Sequence, residues 1–427
     1  MNKRILLINP NRYAEPPVIP VGLEYVGSYL EQAGFDVRML DLCFADEPEA
    51  AVRRAARECG PALIGITIRN IDSALFNNNI FFLPGIKKII DAAKESGAPV
   101  ALGGVGYTSA PEIILKETGA DYGVAGPGEL AFAQLAGDIC GGRTPKSGVI
   151  SGWDAGIDPD FTPERPFGID YAKYIEKGGI AGFATQYGCC ERCDYCIEAA
   201  TPVSHRNPAA VISELAALTR MGFSDFHLCD SEYNLDLSFS ERFAAALADA
   251  TLPLKWSLYI KPVPWSEKMF SELKLSGATA ITMSVDSFAL SGELPRYGFD
   301  DLAAITGICR RLGIKLAVDL LTGRPGEPLD STAAAIDFFK TNRPDAVGVN
   351  AYFRVYPGTG FQQTIGRIAA DSLIHTASGC GSALEPVFYN HLSIESLKDI
   401  IGGDELFKIE GFERSSNYER LQGKSRD

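Results

Sequence analysis

Gln186-Tyr187-Gly188-Cys189-Cys190-Glu191-Arg192-Cys193-Asp194-Tyr195-Cys196 decides how this chain is read. Four of its ten cysteines fall within eight residues. The other six (Cys43, Cys59, Cys140, Cys229, Cys309 and Cys380) are dispersed and read as small buried apolar residues. A disulfide framework is not expected in a chain of 427 residues that starts without a secretory signal. Four thiols packed this closely read as a metal site. The apolar run 180–187 just before them reads as a strand. The thiols therefore sit at the carboxyl end of a strand, where parallel α/β folds place their chemistry.

Three ligands at C-x₃-C-x₂-C spacing suit a four-iron cubane, each thiolate of Cys189, Cys193 and Cys196 taking one iron. The fourth iron is then open to an exchangeable group. A structural zinc site is the other reading, with Cys190 as fourth ligand. Adjacent Cys189 and Cys190 reach one ion only with strain, and no second cysteine pair is visible in the sequence.

Downstream, strands are predicted at 180–187, 225–229, 255–260, 279–285, 315–321 and 346–352. Helices are predicted near 208–221, 238–249, 266–275, 300–312 and 330–342. Six such units over residues 179–365 predict a partial (β/α)6 barrel. Residues 366–427 read as a small C-terminal region, with a helix near 393–402 and a charged tail. Upstream, 141–178 carries Gly141-Gly142, Pro145, Gly152, Gly156, Pro159, Pro163 and Pro166 and reads as an extended linker. Residues 1–140 alternate strands (4–9, 36–42, 62–68, 98–102, 120–125) with helices near 22–34, 47–59, 82–97 and 110–118, and one after Gly128. Near-continuous apolar strands between amphipathic helices predict a doubly wound parallel sheet of flavodoxin-like size. The whole chain is thus α/β.

The net charge of -14, with no basic run, opposes a nucleic-acid partner. The first apolar run, Ile5-Leu6-Leu7-Ile8, is too short for a secretory core, and no segment is long enough to span a bilayer. A cytoplasmic protein without a membrane span is expected.

Ligands of doubly wound sheets bind beyond the carboxyl ends of the strands. Four loops lie there: Asn9-Pro10-Asn11, Thr67-Ile68-Arg69-Asn70, the stretch Gly103-Gly104-Val105-Gly106-Tyr107-Thr108-Ser109, and Gly126-Pro127-Gly128-Glu129. Dinucleotide binding needs G-x-G-x-x-G after the first strand, and no glycine precedes Gly22.

The cysteine segment resembles the radical S-adenosylmethionine (SAM) signature C-x₃-C-x-aromatic-C, with Tyr195 in the aromatic place. The resemblance continues over about residues 180–360. Asp230-Ser231-Glu232 resembles the Gly-Gly-Glu motif that meets the SAM amino group, departing from it at both glycines. Ser284-Val285-Asp286-Ser287, Gly323-Arg324-Pro325-Gly326-Glu327 and Tyr356-Pro357-Gly358-Thr359 resemble the ends of the later barrel strands. Residues 1–140 resemble the cobalamin-binding domain fused ahead of many such barrels, with Pro20-Val21-Gly22-Leu23 opening the first helix.

This resemblance to cobalamin-dependent radical SAM enzymes implies three cofactors: a [4Fe-4S] cluster, SAM and cobalamin. It implies SAM contacts from Tyr195, Ser231, Glu232, Ser284 and Asp286. It implies cobalamin contacts from Asn9, Pro10, Arg69, Asn70, Gly103, Gly104, Thr108, Gly126, Gly128 and Glu129. The four histidines are His205, His227, His375 and His391, so the first domain has none to coordinate cobalt. Arg69 is expected beneath the metal without coordinating it; its other reading is a surface arginine paired with a carboxylate. The implied reaction moves a methyl group from SAM through cobalamin to an unactivated carbon of a small-molecule or peptide substrate, with an external electron donor. Cyclisation or rearrangement without methylation, and a non-catalytic corrinoid or iron–sulfur carrier, are the alternatives. Tyr352, Arg354 and Tyr356 read as packing residues. No catalytic side chain is assigned.

Overall fold

A computed structural model describes residues 2–14, 16–146, 148–291, 296–368, 374–375 and 381–411. Cys380 and the charged tail from residue 412 lie outside these, as does the side chain of His375.

The first half begins with β1 (Arg4–Asn9), α1 (Val21–Gln32), β2 (Asp36–Asp41), α2 (Pro48–Cys59), β3 (Leu63–Thr67) and α3 (Leu83–Lys94). It continues with β4 (Val100–Gly103), α4 (Val105–Thr108), α5 (Pro111–Thr118), β5 (Tyr122–Ala125) and α6 (Glu129–Cys140). In β1 every residue after Arg4 is buried. Leu6 and Ile8 enter one apolar cluster, Ile5 and Leu7 another on the opposite face. Both faces of the sheet are therefore covered by helices, as its unbroken apolar strands require. Helix α2 shows how local sequence sets the boundaries: Pro48 opens it and Gly60 closes it in a left-handed conformation.

The stretch expected as a linker is more structured than its prolines suggested. It holds β6 (Gly148–Ser151), α7 (Gly152–Ala155) and α8 (Tyr171–Glu176). Strand β6 pairs in parallel with β5, so the sheet has six strands in the order β2-β1-β3-β4-β5-β6. The same stretch supplies Arg165, whose side chain is fully buried. Arg165 bonds Glu214 at 2.6 Å, Glu24 at 3.2 Å, the Gly182 carbonyl at 2.7 Å and the Tyr171 hydroxyl at 2.6 Å. Arg206 reaches Glu214 at 2.9 Å from the other side. Two arginines and two glutamates thus neutralise each other where both halves meet.

The second half starts with β7 (Ala181–Phe183) and the two-stranded ladder of β8 (Gln186–Tyr187) and β9 (Ser204–His205). Then follow α9 (Pro208–Arg220), β10 (Asp225–Leu228), α10 (Leu237–Asp249), β11 (Lys255–Ile260), α11 (Glu267–Leu275) and β12 (Ala278–Asp286). Next come α12 (Ser287–Ser291), α13 (Phe299–Leu312), β13 (Lys315–Leu321), α14 (Leu329–Asn342) and β14 (Ala346–Asn350). The last elements are β15 (Phe353–Arg354), α15 (Gly360–Ile368), β16 (Ile374–His375), β17 (Val387–Tyr389), α16 (Ile394–Ile401) and β18 (Phe407–Glu410). The parallel sheet runs β18-β14-β13-β12-β11-β10-β7. The expected six strands are present, and the C-terminal region adds β18 as a seventh beside β14.

Strand alternation sorts the second sheet's side chains. Trp256, Leu258 and Ile260 join the apolar core with Phe226 and Leu228. The intervening positions carry His227, Ser257 and Tyr259, and His227 Nδ1 lies 2.9 Å from Ser257 Oγ across the strands. The face turned from the helices is therefore polar.

Candidate cofactor-binding cleft

The cysteine loop is closed at its base by the β8–β9 ladder. Gly188 has φ +82°, and a Cβ there would lie 2.0 Å from the Pro202 carbonyl oxygen, so only glycine fits. The Cys189 N–H donates to Thr201 Oγ1 at 2.8 Å, and Thr201 N–H returns to the Cys189 carbonyl at 3.0 Å. Cys189 is buried, Cys193 and Cys196 are half-buried, and Cys190 is exposed. Backbone N–H groups point at two of the sulfurs: Glu191 at Cys189, and Glu198 at Cys196 at 3.4 Å. The Tyr195 hydroxyl donates to the Cys193 sulfur.

Burial pushes Cys189 up to about 12 and Cys196 to about 11, helped by the Cys196 thiol at the first and by the Glu198 charge at the second. A metal cluster reverses that preference, because it binds thiolates and releases their protons. A single zinc ion draws its ligands into one tetrahedron. Among the described residues no three His, Cys, Asp or Glu side chains are gathered around one such point.

Of the residues expected at SAM, Glu232 and Ser284 come together by a hydrogen bond, and the charge of Glu232 is felt at Cys189. Glu232 Oε2 is buried with no hydrogen-bond partner among the described residues. Burial raises its carboxyl to about 8. A carboxylate oxygen in that position can accept from an ammonium group or take a metal site, so the residues present fit the groups the motif implies. Ser231 bonds Glu198 at 3.1 Å. Asp286 is engaged by Arg324 at 3.0 Å, and its other oxygen accepts the Phe288 N–H at 3.0 Å. The Tyr195 ring packs against Phe353, with centroids 5.5 Å apart. Asp230 accepts two backbone N–H groups, from Thr185 at 2.8 Å and Gln186 at 3.2 Å, and so fixes the entry to β8.

Two charged residues that the sequence did not single out stand here. Lys261 pairs with Glu191 inside the cysteine loop, and Arg324 reaches Asp194 there at 2.7 Å. The available signal was the pair of acids within the cysteine loop, since a half-buried carboxylate calls for a partner.

In the first half, the glycine loops serve backbone packing. Gly104 has φ +95°, and a Cβ on it would stand 2.6 Å from the Ile68 carbonyl oxygen. A Cβ on Gly106 would stand 2.9 Å from the Arg69 carbonyl. Gly104→Ala is expected to displace the 68–70 loop and reduce cobalamin retained after gel filtration; undiminished retention would show that the loop tolerates the shift. Thr108 accepts the Gly126 N–H at 3.0 Å, joining two of the four loops. Gly126 gives way to the Trp153 ring, Gly128 lies against Val26, and Gly103 is the least crowded of these. Asn9 is buried and committed to Asp41 at 2.9 Å and Tyr174 at 3.3 Å. Pro10 follows it and is buried as well. Asn70 is exposed, and with its amide turned to suit both groups it accepts from Arg69 at 3.3 Å.

Arg69 has no carboxylate within ion-pairing distance among the described residues, unlike the surface-pair reading. Its charge is felt instead in the second half, at His227 and Cys229. Burial, and then Arg69, lower His227 to about 4. An unfolded histidine near 6.5 binds its proton first as pH falls, so the stability tied to neutral His227 is present above pH 6.5 and lost towards pH 4. His227→Asn is expected to flatten the stability–pH slope in that window by up to about 3 kcal/mol in total. An unchanged slope in urea titrations would remove His227 from the account.

The halves also meet directly near the cysteine loop and along the seam beside it. The Tyr187 hydroxyl donates to Glu129 at 2.5 Å, two residues before Cys189. Glu129 is buried, and its Oε2 has no hydrogen-bond partner among the described residues. Arg354 pairs with Asp72 at 2.8 Å, both side chains buried. A cavity of about 460 Å³ is lined by Ser109 of the first half together with Arg192, Cys193, Asp194, Cys196 and Pro357–Gly360 of the second.

The comparisons with known proteins agree with this division. Residues 11–136 match the B12 binding domain, and residues 183–339 match the Radical SAM superfamily. The chain belongs to the radical SAM superfamily and carries a B12-binding domain ahead of its barrel; its cofactors are a [4Fe-4S] cluster, SAM and cobalamin. It is 26% identical over 445 aligned positions to the tryptophan 2-C-methyltransferase of Streptomyces laurentii, covering 84% of this chain and 74% of that one. It is 21% identical to the cytidylyl-2-hydroxyethylphosphonate methyltransferase of Streptomyces wedmorensis, covering 79% and 77%. Among solved structures, the radical SAM methyltransferase TsrM from Kitasatospora setae, with cobalamin and a [4Fe-4S] cluster bound, superposes with TM-score 0.86 at 25% identity, covering 96% of this chain and 93% of that one. The cobalamin-dependent enzyme OxsB shares the fold, with TM-score 0.71 at 12% identity. Among the described residues no helix is long and apolar enough to cross a membrane.

Proposed function

We propose that this protein is a methyltransferase that moves a methyl group from SAM through cobalamin to a carbon atom of a small molecule. The observation that carries this reading is that the strand-end loops of both halves open on one cleft. Ser109 shares a cavity with Cys193 and Cys196, and Arg69 faces His227 across the divide. A methyl group handed between two cofactors needs them side by side, and proximity of this kind supplies much of the rate. When bound, cobalamin carries the methyl group, and the cluster and SAM supply electron and methyl donor.

The chain's own residues have distinct tasks in this reading. Cys189, Cys193 and Cys196 hold the cluster. Glu232 offers its free oxygen beside it, and Ser284 fixes the carboxylate's orientation. Arg69, which has no lone pair to offer a metal when protonated, would supply a positive charge on the lower side of a bound corrin and so favour a low-valent, electron-rich cobalt. Both curated relatives are methyltransferases by name and differ in substrate, so the shared reaction is the firmer inheritance. An indole such as tryptophan, the substrate in the Streptomyces laurentii relative's name, is the first compound to test. The free thiols suit the reducing cytoplasm, and an external electron donor serves the cluster.

The test is anaerobic reconstitution with iron, sulfide and cobalamin, followed by incubation with methyl-labelled SAM and candidate indoles. Label in the product supports the proposal. Formation of 5′-deoxyadenosine without labelled product supports a rearrangement instead. Arg69→Ala is expected to alter the visible spectrum of bound cobalamin and slow methylation; an unchanged spectrum and rate would remove Arg69 from beneath the ring.

A further inference from the structure

We infer that Arg324 is a positioning residue that clamps the cysteine loop and sets the charge beside its cluster. The inference rests on the assignment of Cys189, Cys193 and Cys196 as cluster ligands. The guanidinium Nη2 reaches Asp194 Oδ1 at 2.7 Å, and Nη1 reaches Asp286 Oδ2 at 3.0 Å. Asp194 lies inside the cysteine loop; Asp286 ends β12. One planar fork therefore joins the loop to the barrel rim.

The same guanidinium lies 5.6 Å from the centroid of the Tyr195 ring, whose hydroxyl bonds the Cys193 sulfur. Its root is fixed as well. The Arg324 N–H donates to Glu327 at 3.0 Å, and Glu327 is buried and held by Ser331 at 2.9 Å and Thr332 at 3.2 Å. On the loop's other side, the Phe361 N–H donates to the Asp194 carbonyl at 2.9 Å. A Cβ on Gly360 would stand 3.3 Å from Asp194 Cβ, so backbone and guanidinium grip the same residue closely.

Two consequences separate this role from mere packing. A cation near a cluster favours its more negative, reduced state, so removal of the charge lowers the midpoint potential. Lysine keeps the charge but cannot bridge two carboxylates in one plane. The test uses the full chain, reconstituted anaerobically, with redox titration followed by electron paramagnetic resonance and iron release to a ferrous chelator. Arg324→Gln is expected to lower the midpoint potential and speed iron release by at least about tenfold, the equivalent of one lost charge-assisted hydrogen bond. Arg324→Lys is expected to keep the potential and still release iron faster. Adding Asp194→Asn to Arg324→Gln is expected to bring the potential back towards that of the unmodified protein.

An Arg324→Gln protein with unchanged potential and iron release overturns the inference. So does an Arg324→Lys protein with unchanged iron release, should the glutamine variant fail to fold. Failure of the underlying ligand assignment looks different: the unmodified protein would then show no four-iron spectrum.

Discussion

Cys193→Ala is expected to abolish the four-iron spectrum and all SAM-dependent turnover, while Cys190→Ala leaves both intact. The contrast follows from placement. Cys193 is half-buried, and its sulfur accepts from Tyr195. Cys190 is exposed on the outside of the same turn. A cubane held by three thiolates cannot spare one, because each iron needs its own ligand. A zinc centre gives the opposite pattern, in which Cys190 matters as much as its neighbours. Iron and sulfide content, with the visible spectrum of the anaerobic protein, distinguish the two. Cluster loss in the Cys190→Ala protein would sink the three-ligand assignment.

The second large effect concerns stability. Arg165→Met is expected to destabilise the fold by about 3–5 kcal/mol, since it leaves Glu24 buried without a cation and Glu214 with Arg206 alone. Glu24 and Glu214 have fully buried side chains and no route to water. Burial already pushes the Glu24 carboxyl upward, and Arg165 is the largest opposing influence. Surface pairs such as Lys87–Asp91 contribute at most about 1 kcal/mol by comparison. The shift in urea midpoint at constant slope measures the loss, and a value below about 1 kcal/mol would mean that the cluster relaxes or hydrates freely. Adding Glu24→Gln removes the stranded charge and is expected to restore part of the loss.

The apolar runs fixed most strands, because in a sheet buried on both faces every residue must be apolar. Strand β1 is legible for that reason. Strand β6 was not: Gly148-Val149-Ile150-Ser151 is short, half-buried throughout and flanked by glycine and proline. Strand β18 carries Lys408 and Glu410 among its four residues and hides in a charged region. The cysteine spacing was legible because its ligands are local. Arg165 was not, because its meaning lies in Glu24 and Glu214, 141 and 49 residues away. Asn9 shows the same limit from the other side. Its position at a strand end suggested a ligand contact, yet its amide is committed to Asp41 and to Tyr174, 165 residues on. Spacing along a chain reveals groups that act together locally; it does not reveal which distant charges will meet.

The Asp72–Arg354 pair bears on how such proteins can be recombined. Asp72 follows the loop that carries Arg69, and Arg354 lies on β15 beyond the barrel sheet. A front domain transplanted from a cousin brings its own residue at position 72 and strands Arg354 in the joint. Working hybrids must therefore exchange both sides of that seam together, and the front domain is not a portable cassette.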